Sequence, residues 1–372
     1  MRQLFLVFLR LGLTAVGGPA AHIALMSAEF VDRRRWISRE EFLDLLAISN
    51  LLPGPTSTEL ALHIGHTRAG AAGLIAAGVG FIAPAALLTA VLAAIYVRAG
   101  SLPLVQPLLA GLKPAVVAIV AVALIRLAPG TAASPRSAVT AAIALVLALM
   151  GVHELIVLAA GGIVAALLAV VGRASSRLAV AAPVLLVPLL GAQGATAAPT
   201  ALTLFLLFLK VGAVLFGSGY VLLAFLRAEL VVRLQWLTDA QLLDAVAVGQ
   251  MTPGPVFTTA TFVGYLLSGP SGAAAATVGI FLPSFLFVAL SGTLTRFLRA
   301  WPVARTVLDG VVAASLALMA AVTVELARAA LVSLPGLAVA GLCLLLLFTT
   351  RLNPAVCLLI GAVAGLLGTI GP

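Results

Sequence analysis

The tripeptide Pro-Gly-Pro occurs twice, at 53–55 and at 253–255, each time in the middle of an apolar run. Proline has no amide donor and clashes with the preceding turn. Pro53 and Pro55 around Gly54, and Pro253 and Pro255 around Gly254, therefore break any helix and leave carbonyls and amides without intrahelical partners. In a hydrocarbon environment such a break is stable only where it is buried in protein or lines a cavity. Composition says that this is the environment: 63% of the 372 residues are hydrophobic and 9% are charged, against about 25% charged in a soluble domain. Apolar runs of about 20 residues, enough to cross a core of about 30 Å, recur along the whole chain. An all-α polytopic membrane protein is the fold class these runs imply.

The distance between the two breaks reflects a duplication. Residues 4–55 align with 204–255 without a gap, and 19 of the 52 positions are identical. Arg10 is answered by Lys210, Gly12 by Gly212 and Gly17 by Gly217; Glu29, Arg33, Trp36 and Asp44 return as Glu229, Arg233, Trp236 and Asp244. After a one-residue slip, Gly80 and Pro84 pair with Gly279 and Pro283, and Gly111 with Gly310. The chain divides into a first repeat at 1–177, a linker at 178–200 in which Pro183 and Pro188 disfavour a helix, and a second repeat at 201–372.

Each repeat reads as a helix (about 4–26 in the first), an amphipathic loop, and a broken apolar segment (44–66). Two full helices (70–97 and 104–126) and two shorter runs (137–151 and 155–172) come next, the last two answered by 332–349 and 353–370. Ser38-Arg39-Glu40-Glu41 resembles a helix start. The run from Leu4 lacks a signal-peptide cleavage site and reads as the first membrane helix. If the Pro-Gly-Pro hairpin re-enters without crossing, each repeat has five spans, an odd number, and the two repeats are inverted. The loop arginines then gather on one side, which is cytoplasmic. If the linker crosses, the repeats run parallel and the charge imbalance shrinks.

The net charge of +9 sits mainly in short loops, where it sets orientation rather than binding nucleic acid. Lys113 and Lys210 lack the glycine-rich run of a phosphate loop, so the chain has no ATPase of its own and uphill movement needs an ion gradient or another subunit. Cys343 and Cys357 have no metal-type spacing and imply neither a disulfide nor a metal site. No nucleophile, base and third group are spaced for catalysis; neither an enzyme nor a cofactor is expected.

The residues after each break suit an oxyanion. Pro55 leads into Thr56-Ser57-Thr58, and Pro255 into Val256-Phe257-Thr258-Thr259, so new helices begin with free amides, hydroxyls and the positive end of the dipole. Asn50 and Gln250, three residues before each first proline, either donate to the anion or hold the hairpin. Gly17-Gly18-Pro19 and Gly217-Ser218-Gly219 form a second pair of weak points, for ligand contact or close packing. Arg10 and Lys210, cations in apolar runs, suit a dianion or snorkel to the interface.

Among the acids, Glu29, Asp44, Glu229 and Asp244 read as interfacial partners of arginines, whereas Glu59 and Glu325 are candidates for a coupling proton. Glu59, His63 and His66 share a helix face and open the alternative of a divalent-metal transporter. A non-transporting membrane subunit is the third class.

The runs G-G-P-A-A-H-I-A-L-M (17–26), R-R-R-W-I-S-R-E-E-F (33–42), L-L-P-G-P-T-S-T (51–58) and G-Q-M-T-P-G-P-V-F-T-T-A-T-F-V-G-Y (249–265) resemble the chromate ion transporter (CHR) family in its long two-domain form. The resemblance covers nearly the whole chain. It implies an inner-membrane exporter of chromate, driven by the proton gradient and conferring chromate resistance, with sulfate as a similar tetrahedral oxyanion. Protons, the lipid bilayer and a second copy in a homodimer are the partners consistent with that reading. Departures from the family pattern are Asn50 in place of glutamine, Glu59 and His63 at positions expected to be uncharged, and Ser218 within a glycine run.

Overall fold

The structure, a computed structural model, describes residues 1–99, 102, 105–131, 134–171, 199–216, 221–291, 302–350 and 352–368. The expected linker at 178–200 lies almost wholly outside these residues, as do Gly217, Ser218 and Gly219. Every described element is helical.

The first expected helix, 4–26, is in fact two. α1 (Arg2–Thr14) ends at Ala15, whose ψ of 91° leaves the helix, and α2 (Gly18–Ser27) starts after Gly17 at φ 119°. Only glycine takes that backbone without strain, and Pro19 is preorganised for the first turn of the new helix. α2 runs into a π turn at Ala28–Arg33. α3 (Arg39–Ser49) is capped by Ser38, whose hydroxyl accepts from the Glu41 amide at 3.0 Å. Pro-Gly-Pro comes next, and then α4 (Thr56–Ala99).

α4 is not one rod. At Ala69 (φ −150°, ψ 28°) and Gly70 (φ 59°, ψ −148°) the backbone leaves the helix, and Gly65 lies against Gly73 and Ala77, so the two parts of α4 fold back on each other. The short part, 56–68, ends where α3 began: the Arg68 guanidinium lies 5.4 Å from the centre of the Trp36 ring. With 11 residues, α3 reaches about 16 Å, roughly half a hydrocarbon core. The sequence expected a broken apolar segment at 44–66 and a full helix at 70–97; what it did not show was the tight reversal that joins them.

The remaining elements of the first repeat are α5 (Val105–Thr131), α6 (Pro135–Leu149) and α7 (Glu154–Val171). The second repeat retraces this path. α8 (Ala201–Val214) is followed by α9 (Leu222–Leu226), a π turn at Arg227–Arg233, and α10 (Asp239–Met251). A 3₁₀ turn at Val256–Thr258 leads into α11 (Thr259–Ala289), which reverses at Ser268 and Gly269, with Gly264 against Gly272. α12 (Pro302–Ala330), α13 (Leu334–Thr349) and α14 (Pro354–Leu366) complete it. Among the described residues, four stretches, 56–99, 105–129, 256–289 and 305–330, are long and apolar enough to cross a membrane, the first and third counted across their reversals at Gly70 and Gly269.

The repeats are interlocked. α1 packs on α4 and α8 on α11, and α4 and α11 pack on each other. Beyond this centre the partners are exchanged: α5 lies against α13 and α14 of the second repeat, and α12 against α6 and α7 of the first. Close approach comes from small residues, with Gly111 against Gly361 and Gly161 against Gly310. Leu87, Val91 and Ile95 of α4 and Leu345 of α13 point outward, as a lipid-facing surface requires.

Candidate functional site

Each Pro-Gly-Pro is pinned to the other repeat. The Gly54 amide donates to the Leu215 carbonyl at 2.7 Å, and the Gly254 amide donates to the Ala15 carbonyl at 2.8 Å. Leu215 and Ala15 are the positions where α8 and α1 end in extended backbone. A carbonyl released by one helix end is thus satisfied by an amide released by the opposite break, which accounts for polar backbone that could not otherwise be buried. The glycines fit because the space above them is taken. A methyl on Gly54 would lie 2.5 Å from both Glu59 Oε1 and Ser284 Oγ, and one on Gly254 would lie 2.7 Å from the Ala85 methyl. Ser284 and Ala85 are themselves related by the duplication.

The break between α1 and α2 is held by side chains. Ala15 O also accepts from His22 Nε2 at 3.1 Å, and this leaves His22 Nδ1 to accept from the Ser57 hydroxyl at 3.2 Å. Asn353, the N-cap of α14, donates from Nδ2 to Val16 O at 3.2 Å and borders Gly17. Gly18 is buried at the start of α2. Four interrupted helices, two from each repeat, therefore meet at one level.

Around the first break, Pro53, Gly54, Pro55, Ser57 and Thr58 are buried and Thr56 is half-buried. Thr58 Oγ1 has no partner. Glu59 is fully buried, and although the Ser284 hydroxyl faces it, neither carboxylate oxygen completes a hydrogen bond. Around the second break the polar groups are hydroxyls. Thr258 Oγ1 donates to Pro255 O at 2.9 Å, Thr259 Oγ1 donates to Val256 O at 2.8 Å, and Thr89 Oγ1 lies 3.3 Å from Thr258 and 3.5 Å from Thr252. Gln250 is buried with Nε2 unpartnered and lines a cavity of about 10 Å³ with Thr259 and Val256, room for about one water. Its counterpart Asn50 is exposed.

The two cations in apolar runs do not meet at the breaks. Lys210 is paired with Glu229, which also takes Arg233. Arg10 is exposed and lines an open groove of about 470 Å³ with Arg2, Gln3, Leu6, Val7 and Arg34. Glu325 pairs with Arg328 at 3.4 Å, half-exposed. Glu29 pairs with Arg33 and Arg34, as expected of an interfacial acid; burial pushes its carboxyl up, but hydrogen bonds from Arg34 and Arg33 outweigh this and hold it below the usual range. Asp244 differs from expectation. It is buried and accepts from the Tyr96 hydroxyl at 2.9 Å rather than from an arginine, because α10 packs against α5 and the far end of α4. Glu59, His63 and His66 do not close into a metal-ligand set; the grouping with ligand spacing among the described residues is His153, Glu154 and Glu229.

Sequence reasoning assigned no role to His22, Thr89, Tyr96 or Ser284. Ser284 was within reach of it: the duplication places it beside Pro283, the counterpart of Pro84. The others depend on contacts between segments far apart in the chain.

A family model described as "Chromate transporter" matches residues 2–167 and again 202–366. The chain belongs to the chromate transporter family. It is accordingly a multi-pass membrane transporter and not an enzyme. Among its relatives, a "Chromate transport protein" of Pseudomonas aeruginosa is 36% identical, over 98% of this chain and 91% of that protein. A "Chromate transport protein" of Cupriavidus metallidurans is 32% identical, over 100% and 93%. A "Probable chromate transport protein" of Synechococcus elongatus is 30% identical, over 90% and 86%. No solved structure matches this transporter.

Proposed function

We propose that this transporter exports chromate across the inner membrane in exchange for protons, and that the anion passes between the two Pro-Gly-Pro breaks. The observation that carries the reading is the reciprocal pair of hydrogen bonds, Gly54 to Leu215 and Gly254 to Ala15. It gathers the start of α2, α4 and α11 at one level, where the positive ends of the helix dipoles and the unpartnered Thr58 hydroxyl favour a tetrahedral dianion. Sulfate has the same shape and charge and competes. Asn50, Pro53 to Thr58, Gln250, Pro253 to Pro255, Thr258, Thr259, Gly17, Gly18 and, on the second repeat, Gly217, Ser218 and Gly219 form the proposed path.

The groove holding Arg2, Arg10 and Arg34 suits a mouth where the field concentrates anions. Lys210 acts from within its pair with Glu229. Glu59 takes the coupling proton: a buried carboxyl without a formed hydrogen bond at membrane depth is costly as a permanent anion, and Thr259 replaces it in the other repeat. Glu325, already paired at the surface, is the second candidate. Repeats of five spans each, 1–177 and 201–372, related by inversion, agree with the return of 56–68 to Trp36 and with the exchanged packing.

Chromate counterflow in proteoliposomes tests this. Wild type should exchange labelled chromate and lose signal to excess sulfate, and Arg10→Ala should lower flux with insertion intact. Unchanged flux in both Arg10→Ala and Lys210→Ala would remove the cations from the mechanism.

A further inference from the structure

His153 and Glu154, where α7 begins, are not used by the proposed oxyanion path, although they adjoin Glu229, which holds Lys210. A His153 ring nitrogen, a Glu154 oxygen and a Glu229 oxygen lie within 4.8 Å of one another. Glu229 is fully buried and pairs with both Lys210 and Arg233. Glu154 is only 5% exposed, and its Oε1 has no partner. A second anion this close to Glu229 is costly in a buried site, and the two nearby cations are already engaged by Glu229: among the described residues no ion pair comes to Glu154 from α6 or α12, the other helices packed on α7. The groups acting on it are Glu229, Lys210 and His153.

A helix start needs no acid here for architectural reasons. The duplication aligns Glu154 with Asn353, and that carboxamide caps α14 at 3.0 Å and donates to Val16. The first repeat has placed a titratable group where the second has a neutral one. His153 lies between the acid and water: its side chain is 36% exposed, its Nδ1 is 3.5 Å from Glu154 Oε2, and the same nitrogen accepts from the Leu155 amide at 3.3 Å. The two cations on Glu229 argue against a divalent metal in the cluster, since they occupy the charge a metal would need.

We propose that the Glu154 and Glu229 carboxyl pair is a proton-binding site, loaded from water past His153 and facing the Lys210 ion pair. The proton enters on Glu154, which then donates to Glu229; when it leaves, Glu154 becomes a second anion beside Lys210 and draws on the pair that holds Glu229. The site stands on geometry alone, while any part it plays in transport rests on the proton-driven reading above.

Infrared difference spectra of the full-length protein in lipid, recorded as pH is raised, test it. A protonated-carboxyl band should disappear with rising pH in wild type, be missing from Glu154→Gln, and persist in Glu59→Gln and Glu325→Gln. Should Glu154→Gln fail to insert, Glu154→Asp should keep the band at a shifted frequency. A titrating band set identical in wild type and Glu154→Gln overturns the proposal, and so does an unshifted set in Glu154→Asp. Zn²⁺ raising the melting temperature of wild type but not of Glu154→Gln also overturns it, by assigning the cluster to a metal. Chromate flux is read separately: a pH profile flattened in Glu154→Gln ties the site to coupling, and an unchanged profile with the band lost rejects only that tie.

Discussion

Replacing Gly254 by alanine attacks the crossing of the two repeats directly. Gly254 has φ 92°, in the left-handed region, where a side chain costs about 1–3 kcal/mol. The new methyl would also lie 2.7 Å from the Ala85 β-carbon and 3.2 Å from the Gly12 carbonyl oxygen. Neither atom belongs to a flexible side chain, so relief requires shifting the 253–255 loop away from α4 and α1, an overpacking cost of about 1–3 kcal/mol. The sum, about 2–6 kcal/mol, lowers the ratio of closed to disrupted packing at least roughly 30-fold, taking 1.4 kcal/mol per tenfold. Moving the loop also lengthens the bond from the Gly254 amide to Ala15, the contact that ties the second break to the end of α1. Thermal melts of the solubilised protein and chromate flux in proteoliposomes should both fall. Gly341→Ala is the control: it lies in α13 with nothing within 4 Å of an added methyl, and should be neutral or stabilising by up to about 1 kcal/mol. If Gly254→Ala melts and transports like Gly341→Ala, the two breaks are not locked as described.

Glu229→Gln leaves Lys210 and Arg233 around a neutral group; the loss should fall near the low end of about 3–5 kcal/mol, because both cations are about a third exposed, and it is read as a lower melting temperature. Thr89→Val removes the hydroxyl facing Thr252 and Thr258 at 3.5 and 3.3 Å and should cost about 1 kcal/mol, with a larger effect on flux than on melting if the second break contacts the anion. Glu29 has its folded carboxyl held below the ordinary 4.5, so its contribution is present above that value and is lost as pH falls through the folded value. The melting temperature of wild type should drop on acidification below about 4.5, and Glu29→Gln should drop less over the same window.

The duplication and the Pro-Gly-Pro pair made most of the architecture legible, because proline and glycine act locally and repeat at a fixed offset. The break at Gly17 and the reversal at Gly70 were harder to read. Small residues at those positions fit ordinary helix packing equally well, and only the backbone angles separate the cases. Charge was the least legible property. Arg10 and Lys210 align perfectly in sequence, yet one opens onto a groove and the other is paired with Glu229, since Arg34 on one repeat and Leu234 on the other leave different partners for the acids. Asp244 looked like Asp44 and is buried where Asp44 is exposed. Such differences arise from long-range packing between α10, α4 and α5, which no single segment encodes.

Proton-driven movement of chromate through the paired breaks can be followed as uptake of labelled chromate into inverted membrane vesicles. An acid-inside proton gradient should drive accumulation in wild type, a protonophore should abolish it, and Glu59→Gln should leave exchange without gradient-driven accumulation. Accumulation that is indifferent to the gradient, or equal in vesicles lacking the protein, would contradict the account.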